Sequence, residues 1–113
     1  MSPTPEQQQL CASLDVEPDT PDPESKLGVS AGVRAGELPV HGLRHPKGDG
    51  TNGWYLWTGE LSDHDDFFAP LHWEHLAGCA PTVLRFLALP PGWRFLTDGV
   101  TEDMWFDATL LDV

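Results

Sequence analysis

The chain has few basic residues: 6 Lys and Arg stand against 18 Asp and Glu, which gives a net charge of −12. Neutralising phosphates requires a face of clustered Lys and Arg, so this composition disfavours direct binding of nucleic acid or of an anionic membrane. A basic protein surface is the natural electrostatic complement of such a chain. The sequence therefore predicts a protein partner, with no nucleic acid and no membrane among its targets.

Long apolar segments and cysteines are also scarce. No apolar run approaches the roughly 18 residues that cross a bilayer, and the N-terminus has neither the basic nor the apolar region of a secretory signal. Two cysteines, Cys11 and Cys79, do not make a disulfide framework. We expect free thiols in a reducing compartment, and hence a cytoplasmic protein.

Motifs for catalysis and for cofactor binding are absent or incomplete. The sequence has no Gly-x-Ser-x-Gly elbow and no glycine motif that cradles phosphate. His72 and His75 would face opposite sides of a strand, and on a helix the sequence marks no third metal ligand. Cys79 precedes a predicted helix but has no identifiable base. We therefore predict no enzymatic activity, no metal and no cofactor. A small metal-binding protein or enzyme using His72, His75 and Cys79 is an alternative.

Two regions differ in composition. Residues 1–25 contain five prolines and six acidic residues, without Lys or Arg. Such a segment has too little apolar surface to offset chain entropy, so it predicts a flexible acidic tail with at most a short helix after Pro5. Residues 26–113 contain all five tryptophans and are predicted to form a single domain.

The pattern of residues 26–113 predicts an α+β fold. We expect a small antiparallel sheet of about five strands with two short helices packed on one side. The expected strands are Lys26–Val33, Leu38–His45, Trp54–Thr58, Trp93–Thr97 and Asp103–Asp107. The expected helices run from Ser62 to Phe68 and over Pro81–Ala88. The last two strands should form a hairpin with aromatic side chains paired across it.

Acidic residues flank two of the tryptophans. An aromatic anchor can supply buried contact area while neighbouring acids steer the encounter with a partner. The first cluster lies beside Trp57 and the second beside Trp105. The predicted partner-binding residues are Trp57, Glu60, Asp63, Asp65, Asp66, Glu102 and Asp103. The alternative, in which both tryptophans belong to the core and both clusters are ordinary surface, stays open.

Several stretches resemble one known family. They are Gly42-Leu43-Arg44-His45-Pro46, Asn52–Gly59, Asp66-Phe67-Phe68, Pro70-Leu71-His72, His75-Leu76, Leu89–Leu96 and Asp103–Asp107. In their order and in the identity of their residues they are similar to the thirty-third immunity-protein family of bacterial polymorphic toxin systems. The resemblance covers roughly Lys26–Leu111 and leaves Ser2–Ser25 outside.

This resemblance implies a cytoplasmic, non-catalytic antidote that binds and blocks a cognate protein toxin. The acidic composition adds that the toxin is basic, since an acidic inhibitor can occupy a surface meant for phosphates. A stand-alone accessory or regulatory interaction domain without a toxin is the alternative. The oligomeric state is left open between monomer and homodimer, because exposed strand edges can pair.

Overall fold

A six-stranded mixed sheet forms the centre of the molecule in the computed structural model, which describes residues 3–22, 24–48, 51–64 and 66–112. The strands are β1 (Lys26–Val29), β2 (Val40–Arg44), β3 (Trp54–Trp57), β4 (Ala69–His72), β5 (Trp93–Thr97) and β6 (Glu102–Phe106). Their order across the sheet is β4-β1-β3-β2-β5-β6. The β1–β3 pair is parallel, and the other neighbouring pairs are antiparallel.

Short helices accompany this sheet. The α-helices are α1 (Pro5–Ser13), α2 (Ala31–Arg34) and α3 (Leu76–Cys79), and the 3-10 helices are Trp73–His75, Pro81–Phe86 and Ala108–Leu111. The α+β class predicted from the sequence is confirmed. Strand β4 was not among the expected strands, and Pro70 at its second position is tolerated because β4 is an edge of the sheet.

Two predicted elements are wrong in detail. The helix expected from Ser62 to Phe68 is absent from the described residues, since 61–64 have no regular secondary structure and 66–68 form a turn and bends. The Ser62 hydroxyl accepts a local hydrogen bond from the His64 N–H (3.2 Å). Strand β1 ends at Val29, four residues before the predicted end. There the Ser30 hydroxyl accepts from the Thr58 N–H (3.2 Å), and the chain turns into α2.

One face of the sheet carries the main core. Side chains alternate along a strand, so the buried residues of β2 and β5 point to the same side as Trp54 and Leu56 of β3. Phe95 stacks on Phe86 of the Pro81–Phe86 helix, with ring centroids 4.5 Å apart. The Trp54 indole N–H donates to the Leu87 carbonyl (3.0 Å). A Cβ at Gly42 would overlap the Phe95 ring, so glycine is required where the two strands meet.

The N-terminal segment joins this core. Helix α1 opens with a capping box in which the Thr4 hydroxyl accepts from the Gln7 N–H and the Gln7 side chain accepts from the Thr4 N–H. Gln7 also donates to the Leu84 carbonyl (2.8 Å), while Leu10 and Cys11 are buried. The predicted boundary at residue 26 therefore does not separate a tail from the domain. Mobility of the remaining residues up to 25 stays a prediction.

Arg44 connects the N-terminal segment to the rest of the fold. Its side chain is 3% exposed and donates to three backbone carbonyls, those of Asp19 (2.6 Å), Leu89 (2.8 Å) and Asn52 (3.2 Å). An ion pair with the Asp19 carboxylate (3.8 Å) adds to these bonds. A buried guanidinium is tolerated when its donors are satisfied in this way. Arg44 is thus a structural residue.

Candidate functional site

The second face of the sheet is only partly covered. We call it the open face and define it by side chains that point away from the main core. Its members are His41, Leu43, Tyr55, Trp57, Arg94, Leu96, Asp103 and Trp105. Most of them are half-buried, and the exposed ones lie on β6. Half-exposed aromatic and aliphatic groups on a sheet face are typical of a surface that meets a partner.

Strand register arranges the open face in two continuous rows. One row runs from Pro70 through Gly28, Tyr55, Leu43 and Arg94 to Trp105. The second row runs through Trp57, His41, Leu96 and Asp103. Residues that lie far apart in the sequence are therefore direct neighbours, which sequence patterns of single strands do not reveal.

Trp57 is closed off by its own neighbours. Its ring stacks on His41 at a centroid distance of 5.2 Å and an interplanar angle of 7°, and Phe68 approaches edge-on at 6.3 Å. Only 4% of Trp57 is exposed. Trp57 therefore packs beneath the open face and presents little surface of its own. Trp105, which is 42% exposed, is the tryptophan that presents a surface.

The first acidic cluster lies on the loop between β3 and β4. Glu60, Asp63 and Asp66 are exposed, and Asp65 lies outside the described residues. Among the described residues the ion pairs use other acids, namely Asp19, Glu74, Glu102 and Asp107. The same loop ends at Phe68, which contacts Tyr55 and Trp57 on the open face. The loop that carries the cluster therefore reaches the open face at Phe68.

The second acidic cluster is divided by the alternation of β6. Glu102 faces the covered side and forms an ion pair with Arg85 (3.0 Å). Asp103 faces the open side, is exposed, and lies opposite Leu96. Of the two acids, Asp103 is the one available at the open face, while the charge of Glu102 is compensated within the fold.

Arg94 is the charged residue at the centre of the open face, and it contacts two of its neighbours. Its guanidinium lies 5.6 Å from the centroid of the Trp105 ring and pairs with Asp107 (3.2 Å). Partial burial, and secondly the positive charge of Arg94, lower the pKa of His41. The neutral imidazole that stacks on Trp57 is therefore favoured. The middle of the open face is thus aromatic and uncharged, with the Arg94 guanidinium beside it.

Comparison with models of protein families confirms the family resemblance that the sequence pattern indicated. The model of the Imm33-like domain matches residues 6–107. The chain belongs to the Imm33-like family. No curated protein and no solved structure matched significantly. Because the match starts within α1, the family unit includes most of the segment that the sequence resemblance had left outside.

The histidines and cysteines of this Imm33-like chain do not converge. His72 and His75 are exposed and stack on each other at 5.9 Å, and the Cys79 thiol donates to the Leu76 carbonyl (3.7 Å). Within the described residues no group of three or more His, Cys, Asp or Glu is placed to hold a metal ion. Burial raises the pKa of the Cys11 thiol, which makes a thiolate there unfavourable.

His45 is half-buried and its Nδ1 donates to the Leu110 carbonyl (2.9 Å), which is a structural contact. No helix in the described part of the chain combines the length and apolar character needed to cross a bilayer. Proteins of the immunity family to which the chain belongs are generally non-catalytic.

Proposed function

We propose that this chain is a non-catalytic immunity protein that binds and neutralises a cognate, basic toxin in the cytoplasm of the cell that makes it. The match of the Imm33-like model over residues 6–107 carries this proposal. The net charge of −12 supports the basic character of the toxin, because complementary charge speeds and orients encounter. Inhibition by a folded binding surface needs no reactive group.

The proposed contact surface is the open face together with its acidic border. Trp105 supplies an exposed aromatic anchor, and Asp103 stands beside it without an internal ion pair among the described residues. Glu60, Asp63 and Asp66 border the other side of the face. Trp57 contributes by holding His41 in place, and Glu102 by fixing Arg85. Asp65 is included on sequence grounds only.

The direct test is co-expression with the toxin encoded by the gene directly upstream. The chain should rescue growth of cells that express this toxin and should co-purify with it as a stable complex. Growth arrest that persists despite soluble expression of the chain would refute the proposal. A chain without any neighbouring toxin gene would instead favour the accessory interaction domain.

A charge-matched pair of variants tests the acidic border. The double variant Asp63→Asn with Asp66→Asn should slow association with the toxin several-fold at low salt, by roughly the effect expected for rim charges. The control is Asp15→Asn with Glu17→Asn, which changes the net charge equally but lies on the N-terminal segment. Asn is accepted at Asp15, whose φ is 59°. Equal association rates for both double variants, or rates independent of salt, would contradict an electrostatic contact at the loop.

A further inference from the structure

The two edges of the sheet differ in their capacity to pair with another strand. At the β4 edge, Pro70 has no N–H to donate, and its carbonyl already accepts a hydrogen bond from the Arg34 side chain (2.9 Å). Proline and occupied carbonyls are common protections against edge pairing. At the opposite edge, β6 is a five-residue strand without proline or glycine. Of the two edge strands, β6 is therefore the one that can pair with another strand.

Hydrogen bonds beyond the ends of the β5–β6 pair fix which backbone groups of β6 point outward. Asp98 donates to Thr101, and Asp107 donates to Gly92. Both residue pairs continue the register of β5 with β6, so they mark hydrogen-bonded positions. Alternation then turns the N–H and C=O groups of Asp103 and Trp105 toward β5. The corresponding groups of Glu102, Met104 and Phe106 face away from the sheet.

The side chains at this edge are apolar on both faces and acidic at one end. Phe106 is 50% exposed on the covered side, and Trp105 is 42% exposed on the open side. Asp103 adds an exposed negative charge, whereas Glu102 is paired with Arg85. A second copy of the chain would bring another −12 to this edge. A basic strand complements the same edge.

We infer that β6 receives an extended strand of the toxin, which adds a seventh strand to the sheet through the outward backbone groups of Glu102, Met104 and Phe106. Side chains of the added strand alternate between faces. A Lys or Arg therefore lies beside Asp103 on the open face, and an apolar residue packs on Phe106 on the other. This inference rests on the proposed function, because the strand belongs to the toxin.

Amide hydrogen exchange followed by NMR, residue by residue, tests the inference on the intact chain. The probe is the polypeptide encoded directly upstream, co-purified with the chain. In the free chain the amides of Met104 and Phe106 should exchange rapidly, and in the complex they should slow by at least about tenfold, as hydrogen-bonded amides do. The amides of Asp103 and Trp105, which face β5, should be protected in both states.

The outcomes separate this inference from the proposed function. If the complex forms and rescues growth while Met104 and Phe106 exchange as in the free chain, the edge inference is wrong and the inhibitor proposal stands. Protection that appears in the free chain and grows with its concentration would assign the edge to a second copy, which also overturns the inference. Failure to form any complex removes both proposals together.

A proline variant provides an independent measurement. Met104→Pro removes one outward N–H and leaves the bonds to β5, and Met104→Leu is the matched control because it keeps the N–H. The proline variant should weaken toxin binding by about tenfold or more, the scale of one lost backbone hydrogen bond with its partner left unpaired. The leucine variant should bind within about threefold of the parent. Equal affinities of two folded variants would contradict strand addition, and if the proline variant does not fold, the exchange measurement alone decides.

Discussion

The two faces of the sheet use the same strands for different purposes. On the covered face, Trp54 and Phe95 are fully enclosed by helical segments and by each other. On the open face, the alternate residues Leu43 and Leu96 stay half-exposed, and Trp105 is more exposed still. Because successive side chains of a strand point in opposite directions, stability and surface recognition are assigned to alternate positions.

This separation has a practical consequence for mutagenesis. A change on the covered face removes contacts that hold the fold together, whereas a change on β6 of the open face removes surface that a partner would bury. The two kinds of variant should therefore differ in which measurement responds, the free energy of unfolding or the affinity for the toxin.

The largest effect is expected from a matched pair of tryptophans. Trp54→Ala should lower the free energy of unfolding by about 3–5 kcal/mol, since the ring is fully buried and its N–H loses the Leu87 carbonyl. Trp105→Ala should lower it by less than about 1 kcal/mol but weaken toxin binding by about 2 kcal/mol, as a central aromatic contact does. Urea unfolding and calorimetric titration measure the two quantities. Similar losses of stability in both variants would erase the distinction between the faces.

The next effect concerns helix α1, which packs on the covered side. Leu10→Ala should lower the free energy of unfolding by about 2–4 kcal/mol, because Leu10 is 5% exposed within the main core. Gln9→Ala, at an exposed position of the same helix, is the control and should change stability by less than about 0.5 kcal/mol. Urea unfolding monitored by circular dichroism gives both values. A small effect of Leu10→Ala would instead support the flexible tail predicted from the sequence.

Much of the covered face was predictable from the sequence. Runs of apolar and aromatic residues predicted five of the six strands, and the hairpin expected of the last two strands is present, with Phe95 paired to Met104. Local signals sufficed because each of these strands carries its own pattern. Helix α1 was underestimated since its buried stripe of Gln7, Leu10 and Cys11 is short and one of its members is polar.

The open face was less predictable, because its rows are assembled by pairing between distant strands. The sequence placed acids beside Trp57 and Trp105 but did not show that Trp57 is enclosed by His41 and Phe68. Nor did it show that Glu102 turns toward Arg85 while Asp103 turns outward. The first difference depends on cross-strand register. The second follows from strand alternation once the strand's boundaries are known.

The smallest effect is expected from His41 on the open face. Its folded-state pKa is lowered, mainly by partial burial and then by Arg94, from an unfolded value of about 6.5. The unfolded chain therefore binds a proton more readily than the folded one. The contribution of neutral His41 to stability should be fully present above about pH 6.5 and be lost as the pH falls through the folded-state pKa. The free energy of unfolding in urea, measured from pH 8 to pH 5, gives this dependence.

Two variants isolate this contribution from those of the other histidines. His41→Phe keeps an aromatic ring on Trp57 but cannot titrate, so the decline in stability toward pH 5 should be shallower than in the parent. Arg94→Gln keeps the histidine and removes the positive charge that disfavours its protonation, so it should also reduce the decline, by less than His41→Phe does. An unchanged slope in His41→Phe would mean that the half-exposed open face does not impose a cost on charging His41. In that case the contrast between the two faces would extend to packing but not to electrostatics.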